Sequence, residues 1–369
     1  EKEIRMKDQG SMKMQRLTLV MTHQCNFDCR YCLQKHEDKY MPIETAMRAI
    51  DNLLTGSAQI SFYGGEPLLA RKEIEFLVQY AQQKTRTISG MKVTFEITTN
   101  GLLLDEEFLA FAKKNHILLA LSHDGLAQDL SRVDRGGRTT SEVVDRKLEM
   151  LLRVFPETII MMTVHPDHAD KIADSICFFR EKGVRSVSLV PAHGERVDWT
   201  EERFSVLRRE LEKVEKLYEK WNRGDDIFRF LPFENKIRNY IRGRDADNRL
   251  CHFGGHKMMV DVDGKFYPCT HFIGRDDFLV GDLETGIDEK KLSSLESQRI
   301  EEKNCSECVL RPRCRHMCAC ANHGHTGSMS LVSALQCEYE KLTIELADQA
   351  AQNLLSAENP RFMERMYKE

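Results

Sequence analysis

The sequence lacks three features that would place the protein in other classes. No apolar run reaches the roughly eighteen residues that a membrane-spanning helix needs, so we expect no membrane partner. The first residues lack the charged-then-apolar pattern of a signal peptide, which predicts a cytoplasmic, reducing compartment. Net charge is only −4 over 369 residues, so there is no basic excess that would favour nucleic acid or anionic lipid as a partner.

The composition is that of a globular protein with a large core. Hydrophobic residues make up 41% of the chain and charged residues 30%, enough for one large domain or two of ordinary size. Residues 1–11 include a Gly-Ser pair directly before Met12, which resembles a cloning remnant. Residues 1–11 are therefore not expected to belong to the fold.

Six short apolar, β-branched runs alternate with helical patterns in the first part of the chain. They lie at 16–22, 59–63, 92–99, 117–122, 158–164 and 185–191. Such runs are typical of parallel strands covered on both faces, and repeated strand–helix units imply right-handed crossovers. The pattern predicts an α/β fold, a partial (β/α)6 TIM-like barrel, in which chemistry gathers at the carboxyl ends of the strands.

Helical patterns fill the intervals between these strands. Residues 42–56 begin with proline and end with glycine, and residues 105–115 carry acids first and lysines last, as helix ends favour. Ser141 is expected to cap the next helix. A longer pattern has an apolar stripe at three- and four-residue spacing, which predicts a core-facing helix at Phe204, Leu207, Leu211, Val214, Tyr218 and Trp221.

Twelve cysteines stand out in a chain expected to be intracellular. Clustered cysteines in a reducing compartment favour metal binding. The first cluster, Cys25, Cys29 and Cys32, directly follows the first strand. Three thiolates can hold three irons of a 4Fe–4S cluster and leave the fourth iron open. A structural zinc needs four ligands, and His23 or His36 could complete such a site, so zinc is the alternative.

Polar loops follow the next three strands as well. They are GGEP at Gly64–Pro67, TTNG at Thr98–Gly101 and SHDG at Ser122–Gly125. Because parallel strands end at one edge of the sheet, these loops and the cysteines should meet there.

The spacing C-x3-C-x2-C, with aromatic Tyr31 before the last cysteine, resembles the signature of the radical S-adenosylmethionine (SAM) enzymes. The loops match theirs in order over residues 12–225. The resemblance implies that the open iron chelates the amine and carboxylate of SAM, and that the reduced cluster cleaves SAM to methionine and a 5′-deoxyadenosyl radical. It also implies SAM contacts at Tyr31, Gly64, Gly65, Glu66, Pro67, Thr99, Asn100, Ser122, Asp124, Leu189 and either Arg132 or Arg135.

A second group of cysteines begins at Cys251. Asp263-Gly264 is the two-residue turn favoured in hairpins, so two short strands are expected to carry Cys269 back over the sheet. The cysteine pattern resembles the SPASM extension of radical SAM enzymes, which binds two auxiliary 4Fe–4S clusters; a pair of zinc sites is the alternative. The resemblance implies Cys251, Cys269 and Cys318 for the first auxiliary cluster, and Cys305, Cys308, Cys314 and Cys337 for the second.

The first auxiliary cluster is then one ligand short. Cys320 is a candidate for the fourth ligand, ahead of the nearby His252, His256 and His271. The alternative is an open iron that a substrate thiol could occupy. Because the family pattern leaves Cys320 out, we lean toward an open site with Cys320 nearby. Cys177 stands alone in a helical pattern and is expected to be a small buried apolar residue.

The resemblance implies a radical SAM core at 12–225, a bridging segment at 226–250, a SPASM domain at 251–340 and a C-terminal helix and tail at 341–369. It further implies a SAM-binding cluster, two auxiliary clusters and a peptide or protein substrate, with thioether or carbon–carbon bond formation expected. The alternative is an anaerobic sulfatase-maturating enzyme, which forms formylglycine. These enzymes usually carry an aspartate after the cysteine matching Cys269, whereas this chain has Thr270 and His271. A non-catalytic iron–sulfur electron carrier is a third alternative.

Two partners are expected besides the substrate. One is an external low-potential electron donor of the flavodoxin or ferredoxin type. The other concerns delivery of the peptide and is one of two alternatives. The first strand starts near Arg16, which leaves no room for a leader-binding domain ahead of it. Either a separate protein delivers the peptide, or the barrel and the SPASM domain hold it directly.

Overall fold

The computed structural model describes residues 14–86, 88, 90–194, 196–224, 227–241, 253–356 and 359–368. The predicted remnant 1–11, Cys251 and His252 lie outside these residues. The strands are β1 Arg16–Thr22, β2 Phe27–Cys29, β3 Ala58–Gly64, β4 Val93–Thr99, β5 Ile117–Ser122, β6 Arg132–Asp134, β7 Ile159–Val164, β8 Ser186–Pro191, β9 Arg229–Phe230, β10 Lys257–Val260, β11 Phe266–Tyr267, β12 Gly281–Asp282 and β13 Gly286–Ile287. The helices are α1 Ile43–Leu53, α2 Arg71–Arg86, α3 Glu106–Lys114, α4 Gln128–Ser131, α5 Ser141–Val154, α6 Ile172–Glu181, α7 Glu201–Asn222, α8 Leu231–Ile241, α9 Glu289–Ser297, α10 Lys303–Ser306, α11 Ala319–Thr326, α12 Ala334–Ser356 and α13 Pro360–Lys368.

The main sheet has nine strands within the described ranges, in the order β11-β10-β1-β3-β4-β5-β7-β8-β9. The six predicted strands form its centre, all parallel, and each observed boundary lies within one residue of the predicted one. Apolar side chains of these strands, such as Leu17, Ile60 and Ile97, are fully buried. The predicted α/β barrel-like architecture is confirmed, and the strands do place their following loops at one edge.

Two edges of this sheet differ from the prediction. The segment predicted only as a bridge contributes β9, which pairs in parallel with β8. The predicted hairpin does form, but β10 pairs in parallel with β1 and so extends the sheet instead of lying over it. Its turn is also longer than predicted: Gly264 N–H donates to Asp261 and only Gly264 of the turn residues has a positive φ. A type I′ turn needs positive φ at two residues, so the prediction of a two-residue turn at Asp263-Gly264 was wrong.

The helices match the predicted patterns with one correction. Helix α5 has Thr140 at its N-cap, while the Ser141 hydroxyl donates to Asp129, so Ser141 is not the cap. Helix α7 buries the predicted stripe from Leu207 to Tyr218. Helix α12 crosses the predicted boundary at residue 340 and packs on α7 and α8 of the barrel as well as carrying Cys337. Among the described helices, none is long and apolar enough to span a bilayer.

Candidate functional site

The first three cysteines occupy a loop that is held by backbone pairing. Cys25 follows β1, Cys29 ends β2, and Cys32 closes a turn in which its N–H donates to the Cys29 carbonyl at 3.0 Å. Strand β2 pairs antiparallel with β6, and this register sets Cys29 opposite Arg132. The Arg132 guanidinium consequently lies 3.9 Å from Cys29 Sγ.

These thiols are buried, and burial opposes their ionisation. It raises the pKa of Cys25 to about 11 and that of Cys29 to about 12. Donors point at the sulfurs, however: the Phe27 N–H lies 3.4 Å and Asn100 Nδ2 lies 3.8 Å from Cys25 Sγ. Hydrogen bonds and nearby positive charge favour the thiolate form that metal ligands require. The loop thus fits an iron–sulfur cluster whose irons supply the remaining positive charge.

The GGEP loop packs directly against this cysteine loop. A Cβ on Gly64 would lie 2.1 Å from the Thr22 carbonyl oxygen, and one on Gly65 would lie 2.1 Å from that of Gln24. Both glycines are therefore required where backbone meets backbone. Glu66 N–H donates to Gln24 and Gly65 N–H donates to Thr22, which ties the two loops together.

The Glu66 carboxylate is fully enclosed, and burial raises its pKa. It accepts hydrogen bonds from the Leu68 and Asn100 N–H groups and from the Thr99 hydroxyl, at 3.0, 2.8 and 2.8 Å. Glu66 therefore links the second and third polar loops. Pro67 is buried beside it and opens the following turn. Contacts of these residues with SAM stay predictions.

The fourth loop is organised by a buried ion pair. Asp124 Oδ2 lies 3.1 Å from Arg132 Nε and accepts the Tyr31 hydroxyl at 2.5 Å, while Asp124 Oδ1 accepts the Thr163 N–H at 3.0 Å. Burial alone would lower the pKa of Arg132, but Asp124, Tyr31 and Cys29 together outweigh burial and raise that pKa. Arg132 is buried at this site and Arg135 is exposed. Which of the two contacts SAM stays a prediction.

Other predicted SAM contacts have partners of their own. The Leu189 side chain is buried in the core, and its carbonyl accepts the Tyr339 hydroxyl at 3.1 Å. Ser122 ends β5 at the same edge. The buried His123 pairs with Asp145 at 2.8 Å, so it supports the loop structurally.

Tyr63 joins the two cysteine regions. Its hydroxyl accepts from Gln34 Nε2 at 3.3 Å and also bonds the Thr270 side chain. Burial raises its pKa, and the Cys32 and Cys269 thiols are both close enough to raise it further. No sequence pattern indicates this role, since Tyr63 is one of several large side chains in its strand. The first cysteine loop and the segment around Cys269 therefore meet at the same edge of the sheet.

Three thiols of the second region also meet. Cys318 Sγ lies 3.6 Å from Cys320 Sγ, and Cys320 is hydrogen-bonded to Cys269 as well. The Cys320 thiol lowers the pKa of both neighbours, and its own pKa is raised by them.

The remaining predicted ligands form a separate group. Cys308 N–H donates to the Cys305 carbonyl at 3.2 Å, and Cys314 follows a further turn. Cys337 lies in the first turns of α12, close enough to Cys305 and Cys314 to influence both pKa values. This grouping agrees with the predicted interleaving of ligands, while cluster number and ligand identity stay predictions.

Three imidazoles, those of His193, His271 and His325, pack together and were not predicted as a group. The His193 ring lies 5.2 Å from that of His271 and 5.4 Å from that of His325, between ring centroids. Burial lowers the pKa of His193 to about 4 and that of His271 below its usual range. All three are therefore neutral at physiological pH. They come from three distant stretches of sequence, so no local pattern could have revealed them.

The histidines proposed for the zinc alternatives have other contacts. His23 Nε2 pairs with Asp261 at 2.6 Å, although His36 Nε2 does lie 3.5 Å from Cys32 Sγ. Across the described ranges, no three cysteine, histidine or carboxylate side chains converge on a position suited to one metal ion.

Comparisons with known proteins agree with this site. Residues 19–179 match the model of the Radical SAM superfamily. A cysteine-type anaerobic sulfatase-maturating enzyme of Clostridium novyi (strain NT) is 24% identical over 328 residues, which cover 80% of this chain and 84% of that protein.

Two solved structures share the fold. Native anSMEcpe with bound AdoMet and Cp18Cys peptide matches with a TM-score of 0.75 at 21% identity, over 93% of this chain and 99% of that one. Streptococcus suis SuiB bound to its precursor peptide SuiA matches with a TM-score of 0.62 at 18% identity, over 88% and 76%. At these identities the structures establish the fold alone. With the match at 19–179, the resemblance that the motifs predicted is confirmed, and these residues are a radical SAM domain.

Proposed function

We propose that the protein is a radical SAM enzyme that oxidatively modifies a residue of a peptide or protein substrate. The observation that carries this proposal is the meeting of both cysteine regions at one sheet edge, with Tyr63 between Cys32 and Cys269. Relatives support the substrate class: one matures sulfatases, and SuiB and anSMEcpe are seen with peptides. The alternative of a non-catalytic electron carrier is not supported, because the chain has a radical SAM domain and its relatives are enzymes.

Cys25, Cys29 and Cys32 would hold the SAM-binding 4Fe–4S cluster. A reduced cluster held there would supply electrons for radical chemistry with SAM. The chain's own part is to place and enclose SAM. The buried Arg132 would face the SAM carboxylate, and Glu66 and the GGEP backbone would face the amine. Asp124 and Tyr31 hold Arg132 in position.

The auxiliary clusters are assigned on the same basis. Cys305, Cys308, Cys314 and Cys337 would hold the second, and Cys269 and Cys318 would hold part of the first, together with Cys251. Auxiliary clusters near a substrate supply a site for the surplus electron of a two-electron oxidation. An electron donor of the flavodoxin or ferredoxin type remains part of the proposal.

Two reactions are compatible with this arrangement. One forms a thioether or carbon–carbon cross-link, and the other converts cysteine or serine to formylglycine, as sulfatase-maturating relatives do. The relatives support both equally. Sulfatase-maturating enzymes usually carry an aspartate at the position of Thr270. In this chain the Thr270 side chain bonds Tyr63. Burial lowers the pKa of the neighbouring His271, so its imidazole is neutral and a weaker base than an exposed histidine. The products of the assay below distinguish the two reactions.

The experiment is a mass-spectrometric assay with anaerobically reconstituted protein, SAM and reductant. The substrates are a cysteine-containing sulfatase peptide and short peptides encoded beside the gene. Loss of two hydrogens indicates a cross-link, whereas loss of two hydrogens with sulfur replaced by oxygen indicates formylglycine. A variant with Cys25, Cys29 and Cys32 changed to Ala should form no 5′-deoxyadenosine and keep iron at the C-terminal cysteines. Undiminished SAM cleavage by that variant would contradict the proposal.

A further inference from the structure

Cys320 is the one clustered cysteine that the SPASM pattern leaves unassigned, yet its thiol lies between two others. Cys318 Sγ is 3.6 Å away, and the Cys269 thiol, from a separate segment, is close enough to influence the pKa of Cys320. Cys269 follows β11, whereas Cys318 and Cys320 lie at the start of α11. The contact therefore joins segments about fifty residues apart in sequence.

The backbone at the start of α11 explains why both cysteines face the same point. Residues two apart in a regular helix project to nearly opposite sides. Cys318 is the N-cap, however, with φ −74° and ψ 93°, so the chain is not yet helical there. This turn directs the Cys318 and Cys320 thiols together. The Ala321 N–H, one of the free donors at the helix start, also bonds Cys318.

Two imidazoles near this point have polar partners: His316 Nε2 pairs with Glu301 at 2.6 Å, and His323 Nδ1 contacts Arg275 at 3.0 Å. His271 packs against the His193 ring, and its Nδ1 is buried without a hydrogen-bond partner, so it is the competing ligand. Cys320 is favoured over His271 because its sulfur lies 3.6 Å from Cys318 Sγ.

We propose that Cys320 is the fourth thiolate ligand of the first auxiliary cluster, beside Cys251, Cys269 and Cys318. This inference rests on the proposed function. It replaces the expectation, drawn from the sequence, that the first auxiliary cluster has an open iron. Ligation releases the thiol proton to solvent and involves no change of oxidation state. With four protein thiolates the site offers no iron to a substrate thiol, so the substrate must be held by other groups of the sheet edge.

The test counts auxiliary clusters alone. In the background with Cys25, Cys29 and Cys32 changed to Ala, two remaining cubanes correspond to about eight irons per chain. Adding Cys320→Ser should lower this to about four and remove one EPR signal from the reduced protein. Cys177→Ala is the matched control, because Cys177 lies half-buried in α6 outside both groups, and should keep about eight.

A second measurement leaves Cys320 unchanged. In the background with Cys25, Cys29 and Cys32 changed to Ala, where the SAM cluster and its open iron are absent, added L-cysteine should leave the EPR spectrum unchanged, and iodoacetamide should label Cys320 only after iron is removed with a chelator. The proposal is wrong if Cys320→Ser keeps all its iron with an unchanged spectrum, if L-cysteine alters the spectrum in that background, or if Cys320 is labelled equally with and without iron. Failure of the proposed function would show separately, as absence of SAM cleavage with these iron counts intact.

Discussion

Arg132→Met is predicted to destabilise the protein by leaving a buried carboxylate without its cation. Asp124 is fully buried and Arg132 nearly so, with Nε 3.1 Å from Asp124 Oδ2. Removing one member of such a pair costs about 3–5 kcal/mol. Asp124 would keep its hydrogen bonds from Tyr31 and the Thr163 N–H. We therefore expect a loss of unfolding free energy at the lower end of this range, about 3 kcal/mol.

The assay is anaerobic urea unfolding of the reconstituted protein, followed by fluorescence. Asp124→Asn combined with Arg132→Met should recover at least half of the loss, because no charge then remains unpaired. The matched control is Arg138→Met, whose pair with Asp134 is 83% exposed on the arginine side and should be worth less than about 1 kcal/mol. If Arg132→Met unfolds at the same urea concentration as Arg138→Met, the ion-pair reasoning is refuted.

The same variant probes the first cysteine loop. The guanidinium lies 3.9 Å from Cys29 Sγ, where a unit charge interacts with a thiolate by about 4 kcal/mol at an effective dielectric constant near 20. A positive charge favours the reduced, more negative form of a cluster. Arg132→Met should therefore lower the midpoint potential in an EPR-monitored titration, while Arg132→Lys should lower it less.

Two further predictions concern the contacts between loops. Gly65→Ala should destabilise the protein by about 1–3 kcal/mol or more, since its Cβ would meet the Gln24 carbonyl oxygen, whereas Gly56→Ala, with open space around it, should be neutral in thermal unfolding. Tyr63→Phe should keep 5′-deoxyadenosine formation but lower peptide product per SAM cleaved by up to about tenfold, because one or two hydrogen bonds joining the loops are lost. Chromatography of both products measures this ratio. If Tyr63→Phe and the unsubstituted protein form the same amount of peptide product per SAM cleaved, Tyr63 does not join the two loops for the reaction.

The central strands were predictable because each is a short apolar run covered on both faces. Their order follows from repeated right-handed crossovers, so the convergence of the first four polar loops could also be predicted. The edges of the sheet could not. Strand β10 pairs with β1 across more than two hundred residues, and no local pattern records such a partner. Strand β9 has only two residues, too few for a periodic signal.

Within the site, residue types were predictable but not all of their roles. Gly64 and Gly65 were expected to admit SAM, whereas the structure shows that they first admit the neighbouring backbone. Asp124 was expected at the cofactor, and its oxygens are shared among Tyr31, Arg132 and the Thr163 N–H. Sequence motifs record which residues a loop needs, but they do not separate contacts to a ligand from contacts that hold the loop.

The junction between β1 and the hairpin contains one group whose charge depends on pH. His23 Nε2 lies 2.6 Å from Asp261 Oδ1, between the loop after β1 and the turn after β10. The hydrogen bond to Asp261 raises the pKa of His23 above its ordinary value of about 6.5. The folded protein therefore holds this proton more tightly than the unfolded chain does.

The sign of the pH dependence follows from that difference. Stability from the pair is fully present below about pH 6.5 and is lost as pH rises through the raised pKa of His23. His23→Asn should cost about 1.5–3 kcal/mol at low pH, the value of a hydrogen bond to a charged group, and progressively less toward alkaline pH. Urea unfolding at several pH values measures this cost, which is the difference in unfolding free energy between the variant and the unsubstituted protein. The control is His116→Asn, at an exposed histidine, and its cost should stay constant with pH. If the cost of His23→Asn is constant or grows with pH, His23 joins the two segments as a neutral imidazole, and the reasoning from a charged His23 is wrong.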